Sequence, residues 1–405
     1  MKHMEETNMQ QRFAKRMQGA QKSFIREILK VCADPKIISF AGGLPHPISF
    51  PVEAIQVSTE RVLREDGTNV LQYSTTEGYL PLRQWIADRY CTRWDLDVTA
   101  SDILITTGSQ QALDLIAKIF IDPDDAILME YPGYLGAIQS FEMYQPVLYT
   151  AKLHDEGLDI DQAGKLIHEK NPKLLYCVPN FQNPTGITYT AENRKAVAKL
   201  IHGSQTILVE DNPYGELRFM GEDQMPIFKE VGENGILLGS FSKIVSPAMR
   251  LGWVCTKNQE IMDKLCTVKQ GADLHTNYFT QRVLADYLQH NHLDAHIEEI
   301  KRLYGHQRQC MFQAIQKYFP KSVKVTKPEG GMFIWCSMPV GYSATELFQK
   351  TIAKKVAFVP GDPFYVNEAN VPTFRLNYTN SSDSDIEKGI AIIGETLHTY
   401  LHKNI

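Results

Sequence analysis

The sequence predicts an α/β fold: a mainly parallel sheet sandwiched by helices, with a smaller α+β domain at the C-terminal end. Three observations lead there. Between residues 100 and 255, short β-branched runs alternate with helical patterns, as in a chain of βα units. These runs are nearly continuous in apolar character, which suits strands covered on both faces. Beyond about residue 320 the alternation gives way to short strands and one closing helix.

In chain order, residues 1–45 are too few for a domain and are expected to form an arm that packs on the small domain. The sheet strands are expected at 103–106, 126–129, 174–178, 206–210, 236–238 and 252–255. Between the first two, residues 110–121 place Ala112, Leu113, Ile116, Ile119 and Phe120 on one helical face. A long helical stretch over 279–318 bridges to the second part, with strands at 324–326, 331–337, 356–359 and 373–378. The last helix begins near Ser384 and carries Ile386, Ile390, Ile393 and Leu397. The division is an arm (1–45), a large domain (46–295) and a small domain (296–405), without internal repeats or low-complexity tracts.

Bulk composition narrows the function. The chain has 405 residues, enough for two or three lobes, and 43% hydrophobic and 22% charged residues suit a globular enzyme. A net charge of -5 argues against nucleic acid or an anionic membrane as the main partner. The seven cysteines are scattered and form no Cys-x-x-Cys, so neither a disulfide framework nor a zinc site is indicated. No stretch reaches the length of a membrane span. Residues 1–18 are polar and lack a signal peptide's apolar core, so a cytoplasmic protein is expected.

In such sheets ligands bind beyond the carboxyl ends of the strands, and the polar motifs fall there. Thr106-Thr107-Gly108-Ser109-Gln110-Gln111 ends a strand and opens a helix, which reads either as an anion cradle or as an ordinary capped turn. Glu130-Tyr131-Pro132-Gly133-Tyr134 offers an aromatic face to a planar ring, or a turn with two packed rings. Asn180-Phe181-Gln182-Asn183-Pro184-Thr185-Gly186 is a turn, or a means of aiming the Asn183 amide. In Glu210-Asp211-Asn212-Pro213-Tyr214, Asp211 can pair with a protonated ring nitrogen while the Tyr214 phenol bonds an oxygen beside it. Alternatively, Asp211 caps a turn and Tyr214 packs on the surface.

The most informative run is Gly239-Ser240-Phe241-Ser242-Lys243, followed by Arg250-Leu251-Gly252-Trp253. It sets one lysine among two hydroxyls and a guanidinium. Such a lysine can form a Schiff base with a phosphorylated aldehyde while its neighbours hold the phosphate dianion. That is the chemistry of pyridoxal 5'-phosphate (PLP). Each motif has an ordinary explanation alone, but together they supply, in order along one sheet, the parts a pyridoxal ring requires.

The chain resembles the class I, fold-type I PLP-dependent aminotransferases, and within them the 2-aminoadipate/kynurenine aminotransferase group. The resemblance runs from about Ser23 to the C-terminus. It rests on the motifs at 107–111, 183–186 and 211–214, on Ser240-Phe241-Ser242-Lys243, on Arg250-Leu251-Gly252-Trp253 and on Phe374-Arg375-Leu376. It implies roles residue by residue. Lys243 would carry the cofactor as a Schiff base and shuttle the substrate's α-proton. Asp211 would keep the ring nitrogen protonated. Asn183 and Tyr214 would bond the ring's phenolic oxygen, and Tyr134 would stack on the ring. Ser109, Gln110, Ser240, Ser242 and Arg250 would bind the phosphate, joined by Tyr73 from the neighbouring subunit of a homodimer. Arg375 would clamp the substrate α-carboxylate with Asn183 nearby, and Gly43 would lie against the substrate. Arg26, in an N-terminal arm that covers the site, would meet a distal carboxylate or swing aside, although it equally suits an ion pair on a polar helix face.

The departures from the family pattern, Ala248-Met249 before the arginine and Asn212 after the aspartate, remove no functional group. The implied substrates are L-amino acids and 2-oxo acids, with 2-oxoglutarate and glutamate as one expected pair. The competing readings are another PLP activity such as a β-lyase, disfavoured by Arg375 and the overall similarity, and a PLP-domain regulator, disfavoured by the acidic charge and the short segment before Ser23.

Overall fold

The computed structural model describes residues 13–18 and 34–402. Its centre is an eight-stranded sheet, in the order Ile103–Thr106, Gly252–Cys255, Gly235–Ser240, Ile207–Asp211, Leu174–Cys177, Ala126–Tyr131, Val147–His154, Gly157–Leu158. The four inner strands from Gly235–Ser240 to Ala126–Tyr131 pair in parallel. Gly252–Cys255 runs antiparallel to both its neighbours. This reversal puts its N-terminal end, just after Arg250, at the edge where the parallel strands have their carboxyl ends.

The inner strands are buried along most of their lengths, which accounts for their apolar runs. The sequence reading misses Val147–His154, which pairs in parallel with Ala126–Tyr131 near the sheet edge. Its residues are mostly part-exposed, so polar and apolar types mix and the signal is weak. The expected helix over 279–318 is two helices, Tyr278–His290 and Leu293–Tyr318. Asn291 breaks them by turning extended, while both its backbone N–H and its side-chain Nδ2 donate to the Tyr287 carbonyl.

The second, four-stranded sheet has the order Lys324–Val325, Phe333–Ser337, Thr373–Asn377, Val359–Pro360, all antiparallel. The helices Leu293–Tyr318 and Asp383–His402 pack on each other beside it. Residues after Asp34 lie along this part of the molecule: Ile38–Ser39 pairs in parallel with Val356–Ala357. The Phe40 carbonyl accepts from Asn377 N at 2.8 Å, and the Leu44 carbonyl from Thr379 Oγ1 at 3.0 Å. Among the described residues no helix is long and apolar enough to cross a membrane.

Candidate active site

A cavity of about 390 Å³ opens where the parallel strands end. Gly43, Ser109, Gln110, Tyr134, Asn183, Asp211, Tyr214, Ser240, Ser242, Lys243, Arg250 and Arg375 all line it, together with Val178, Pro213, Pro247 and Phe333. Strands of both sheets, and the segment before the first large helix, thus deliver side chains to one space. Tyr73 lies outside the cavity; it is 78% exposed and meets the His275 ring edge-on. Arg26 lies outside the described residues.

One wall is the start of helix Ser109–Phe120. Its N-cap is Gly108, which takes φ +72°, a left-handed conformation that favours glycine. A Cβ there would come within 2.6 Å of Arg250 Nη2, whose donated bond to the Thr107 carbonyl is 3.2 Å long. Gly252 serves the same close packing, since its Cβ would sit 2.8 Å from Ser109 N. The first amides of a helix have no intrahelical acceptor. Here they face a cavity that also presents Ser240, Ser242 and the Arg250 guanidinium, a donor set suited to a dianion.

Asp211 ends strand Ile207–Asp211 and is almost completely buried. Its Oδ2 accepts from the Tyr176 hydroxyl at 2.8 Å, while Oδ1 has no hydrogen-bond partner. Burial pushes its pKa up to about 7, and the Tyr176 bond opposes the shift only in part. The carboxylate therefore lacks a cationic donor, which a protonated ring nitrogen provides. Its orphaned oxygen excludes the alternative of a turn cap, and Tyr214 is likewise buried, not on the surface.

Lys243 Nζ donates to the Gly43 carbonyl at 2.8 Å. Burial, and then the nearby Arg375 and Arg250 charges, bring its pKa down to about 8. About a tenth of such amines are neutral near pH 7, so the lysine is available as a nucleophile and base. Arg375, on strand Thr373–Asn377, is buried with Nη1 on Asn183 Oδ1 at 2.6 Å and Nη2 on the Ala41 carbonyl at 2.8 Å. Its guanidinium lies 4.2 Å from the Phe333 ring centroid, and Nε has no partner. The Asn183–Pro184 peptide is cis.

Beneath the cavity, Glu130 is buried and accepts from Val178 N (3.0 Å), Tyr189 Oη (2.7 Å) and Gln182 Nε2 (3.0 Å). Gln182 Oε1 in turn accepts from Thr185 N and Thr185 Oγ1, which ties down the loop that carries Asn183. Tyr176 and Phe333 escape the sequence reading because they sit in apolar runs, and Glu130, at the head of its motif, is given no role there. Elsewhere, His306, Cys310 and Asp383 meet at the surface, where His306 Nε2 and Asp383 Oδ2 lie 2.7 Å apart.

The donor set fits PLP: a lysine of lowered pKa, a buried aspartate with one free oxygen, an anion cradle and a buried arginine, around a space of suitable size. The fold and the site together define a fold-type I PLP enzyme. The family model for aminotransferases of class I and II matches residues 42–393. An aromatic-amino-acid aminotransferase of Thermococcus litoralis is 42% identical over 96% of this chain and 95% of its own length. A 2-aminoadipate transaminase of Thermus thermophilus is 40% identical over 95% of this chain and 96% of its own. Among solved structures, an α-aminoadipate aminotransferase of Thermus thermophilus, bound to N-(5'-phosphopyridoxyl)-L-leucine, superposes with a TM-score of 0.91 at 38% identity, covering 98% of this chain and 99% of that one. The chain belongs to the class I PLP-dependent aminotransferases, in the aminoadipate/kynurenine group. It is a transaminase that uses PLP to move amino groups between amino acids and 2-oxo acids.

Proposed function

We propose that the enzyme takes aromatic amino acids and 2-aminoadipate as donors, with 2-oxoglutarate and glutamate as the second pair, and works as a cytoplasmic homodimer. The convergence of Lys243, Asp211 and Arg375 on one cavity carries this reading. The names of the two relatives at or above 40% identity support the donor classes. Phe333, beside the cofactor residues in the cavity, offers an apolar ring to an aromatic side chain. The division into a large domain (46–295), a small domain (296–405) and an arm (1–45) belongs to the same proposal.

The surroundings support a role for each residue. When bound, PLP supplies the electron sink that makes the substrate's α-proton removable. Asp211 Oδ1 would accept from the ring nitrogen and keep it protonated. Asn183 and Tyr214 would bond the phenolic oxygen, and Tyr134 would hold the ring. Ser109, Gln110, Ser240, Ser242 and Arg250 would bind the phosphate. Arg375 turns the substrate carboxylate so that the α-proton faces Lys243. Lys243 Nζ, neutral once released, takes that proton and returns it as a general acid. Gly43, whose carbonyl holds the lysine, leaves room for the substrate: a Cβ there would reach 3.0 Å from the Phe333 ring.

Tyr73 is exposed, lies outside its own cavity and is available to a neighbour's phosphate. Arg26 is assigned the distal carboxylate of 2-oxoglutarate. A panel of amino donors with 2-oxoglutarate tests the substrates. Turnover of aromatic amino acids and 2-aminoadipate, together with an Arg26→Ala variant whose KM rises for 2-oxoglutarate and not for an aromatic 2-oxo acid, is expected. β-Elimination without transamination would overturn the reading.

A further inference from the structure

We propose that Lys269, which lies outside the cavity, is a positioning residue that sets the phosphate cradle through Asp273, Gln111 and Thr107. The inference rests on the reading that Ser109, Gln110 and Arg250 hold the cofactor's phosphate.

Lys269 sits in the last turn of helix Gln259–Gln270, and its side chain is fully buried. A buried ammonium is tolerated only when its protons are matched. Its three donors meet three acceptors: Asp273 Oδ1 at 2.6 Å, Thr276 Oγ1 at 2.9 Å and Gln111 Oε1 at 3.2 Å. Burial still pulls the Lys269 pKa down, with Asp273 opposing.

The bonds then leave the helix. Asp273 Oδ2 accepts from Gln111 Nε2 at 2.7 Å and from Thr107 Oγ1 at 3.3 Å. Gln111 Oε1 also accepts from Thr107 N at 2.8 Å. Thr107 immediately precedes Gly108-Ser109-Gln110, so its amide and its hydroxyl are both fixed from the Lys269 side. Its carbonyl is held from the cavity side by Arg250. Thr276 Oγ1, besides accepting from Lys269, reaches the Ile105 carbonyl at 3.3 Å, which ties the same centre to strand Ile103–Thr106. A solvated i,i+4 pair would strengthen only its own helix. Here the lysine end is buried, and the hydrogen bonds of the pair end on the residue that sets where the cradle's first amides point.

The consequence is selective. Loosening Thr107 weakens what the protein offers a phosphate and leaves the lysine, Asp211 and ring contacts in place. The full chain, freed of cofactor, is titrated with PLP and with pyridoxal, which lacks the phosphate, as wild type and as Lys269→Met, Asp273→Asn and Gln111→Met. Gln111 is partly exposed and methionine is a good helix former, so the last variant keeps the test open if a buried-charge variant does not fold. The expected result is a PLP Kd raised tenfold or more while the pyridoxal Kd stays within twofold. An equal loss for both ligands would mean the network only supports the fold, and an unchanged PLP Kd would mean it does not act on the cradle. Either overturns the inference. Arg250→Gln separates the two levels. If it too spares the preference for PLP over pyridoxal, the phosphate assignment itself fails. If it abolishes that preference and the network variants do not, only the role of Lys269 fails.

Discussion

Asp211→Asn is expected to move stability and activity in opposite directions. In the cofactor-free protein the carboxylate is buried, with one oxygen unpartnered and its pKa pushed up to about 7. From the ordinary 3.8 that is roughly three units, about 4 kcal/mol of cost for holding the charge inside. The folded carboxyl binds its proton more tightly than the unfolded one. The cost is therefore absent below pH 4, grows between pH 4 and 7, and is constant above. Asparagine removes the charge but leaves an amide donor facing the free position, which costs about 1–3 kcal/mol. The variant without cofactor should therefore be more stable than wild type by about 1–3 kcal/mol at pH 8 and show no gain near pH 4, read from urea unfolding at both values. With PLP the order reverses in function. An amide cannot keep the ring nitrogen protonated, so turnover should fall a hundredfold or more, about 3 kcal/mol of barrier, while PLP stays bound through its phosphate. An equal stability difference at both pH values would refute the burial argument, and near-wild-type turnover would refute the role of Asp211.

Lys243 gives a second pH test. With a pKa near 8 instead of 10.5, its neutral fraction at pH 7 is about 300-fold larger than that of a free lysine. The rate of PLP capture by the cofactor-free enzyme should rise with pH and level off just above 8; a rise continuing past pH 10 would contradict this. Gly108→Ala should raise the PLP Kd about tenfold with unchanged circular dichroism, because alanine is strained at φ +72° and its Cβ displaces Arg250. Subunit exchange tests Tyr73. Hybrids of Tyr73→Phe and Lys243→Ala chains should regain about half of wild-type activity, since one of the two sites is then intact. An active monomer or the absence of recovery would remove Tyr73 from the partner's site.

The sheet was legible where strands are buried on both faces, because 174–178 is then an unbroken apolar run and 206–210 has the apolar centre Ile207-Leu208-Val209. Val147–His154 was not, since its part-exposed residues mix types as a loop does. The cavity residues were legible because each is a polar group stranded at a strand end: Asp211, Asn183 and Lys243 have no solvation reason to follow such runs. What supports them was hidden for the opposite reason. Tyr176 lies inside an apolar run and Glu130 at the end of one, and their hydroxyl and carboxylate gain meaning only through partners 35 and 48 residues away. Lys269 and Asp273 have the spacing of any solvated helical pair, and only the burial of the lysine distinguishes them. The break at Asn291 was invisible to periodicity because apolar residues resume at once with Leu293.

Borohydride reduction of the purified protein, followed by peptide mass spectrometry, tests the central claim most directly. The protein should be yellow, lose its absorption band on reduction and carry one phosphopyridoxyl group on Lys243. Lys243→Ala should bind PLP without forming that adduct and without transaminating. An adduct on another lysine, or none in an active enzyme, would contradict the account.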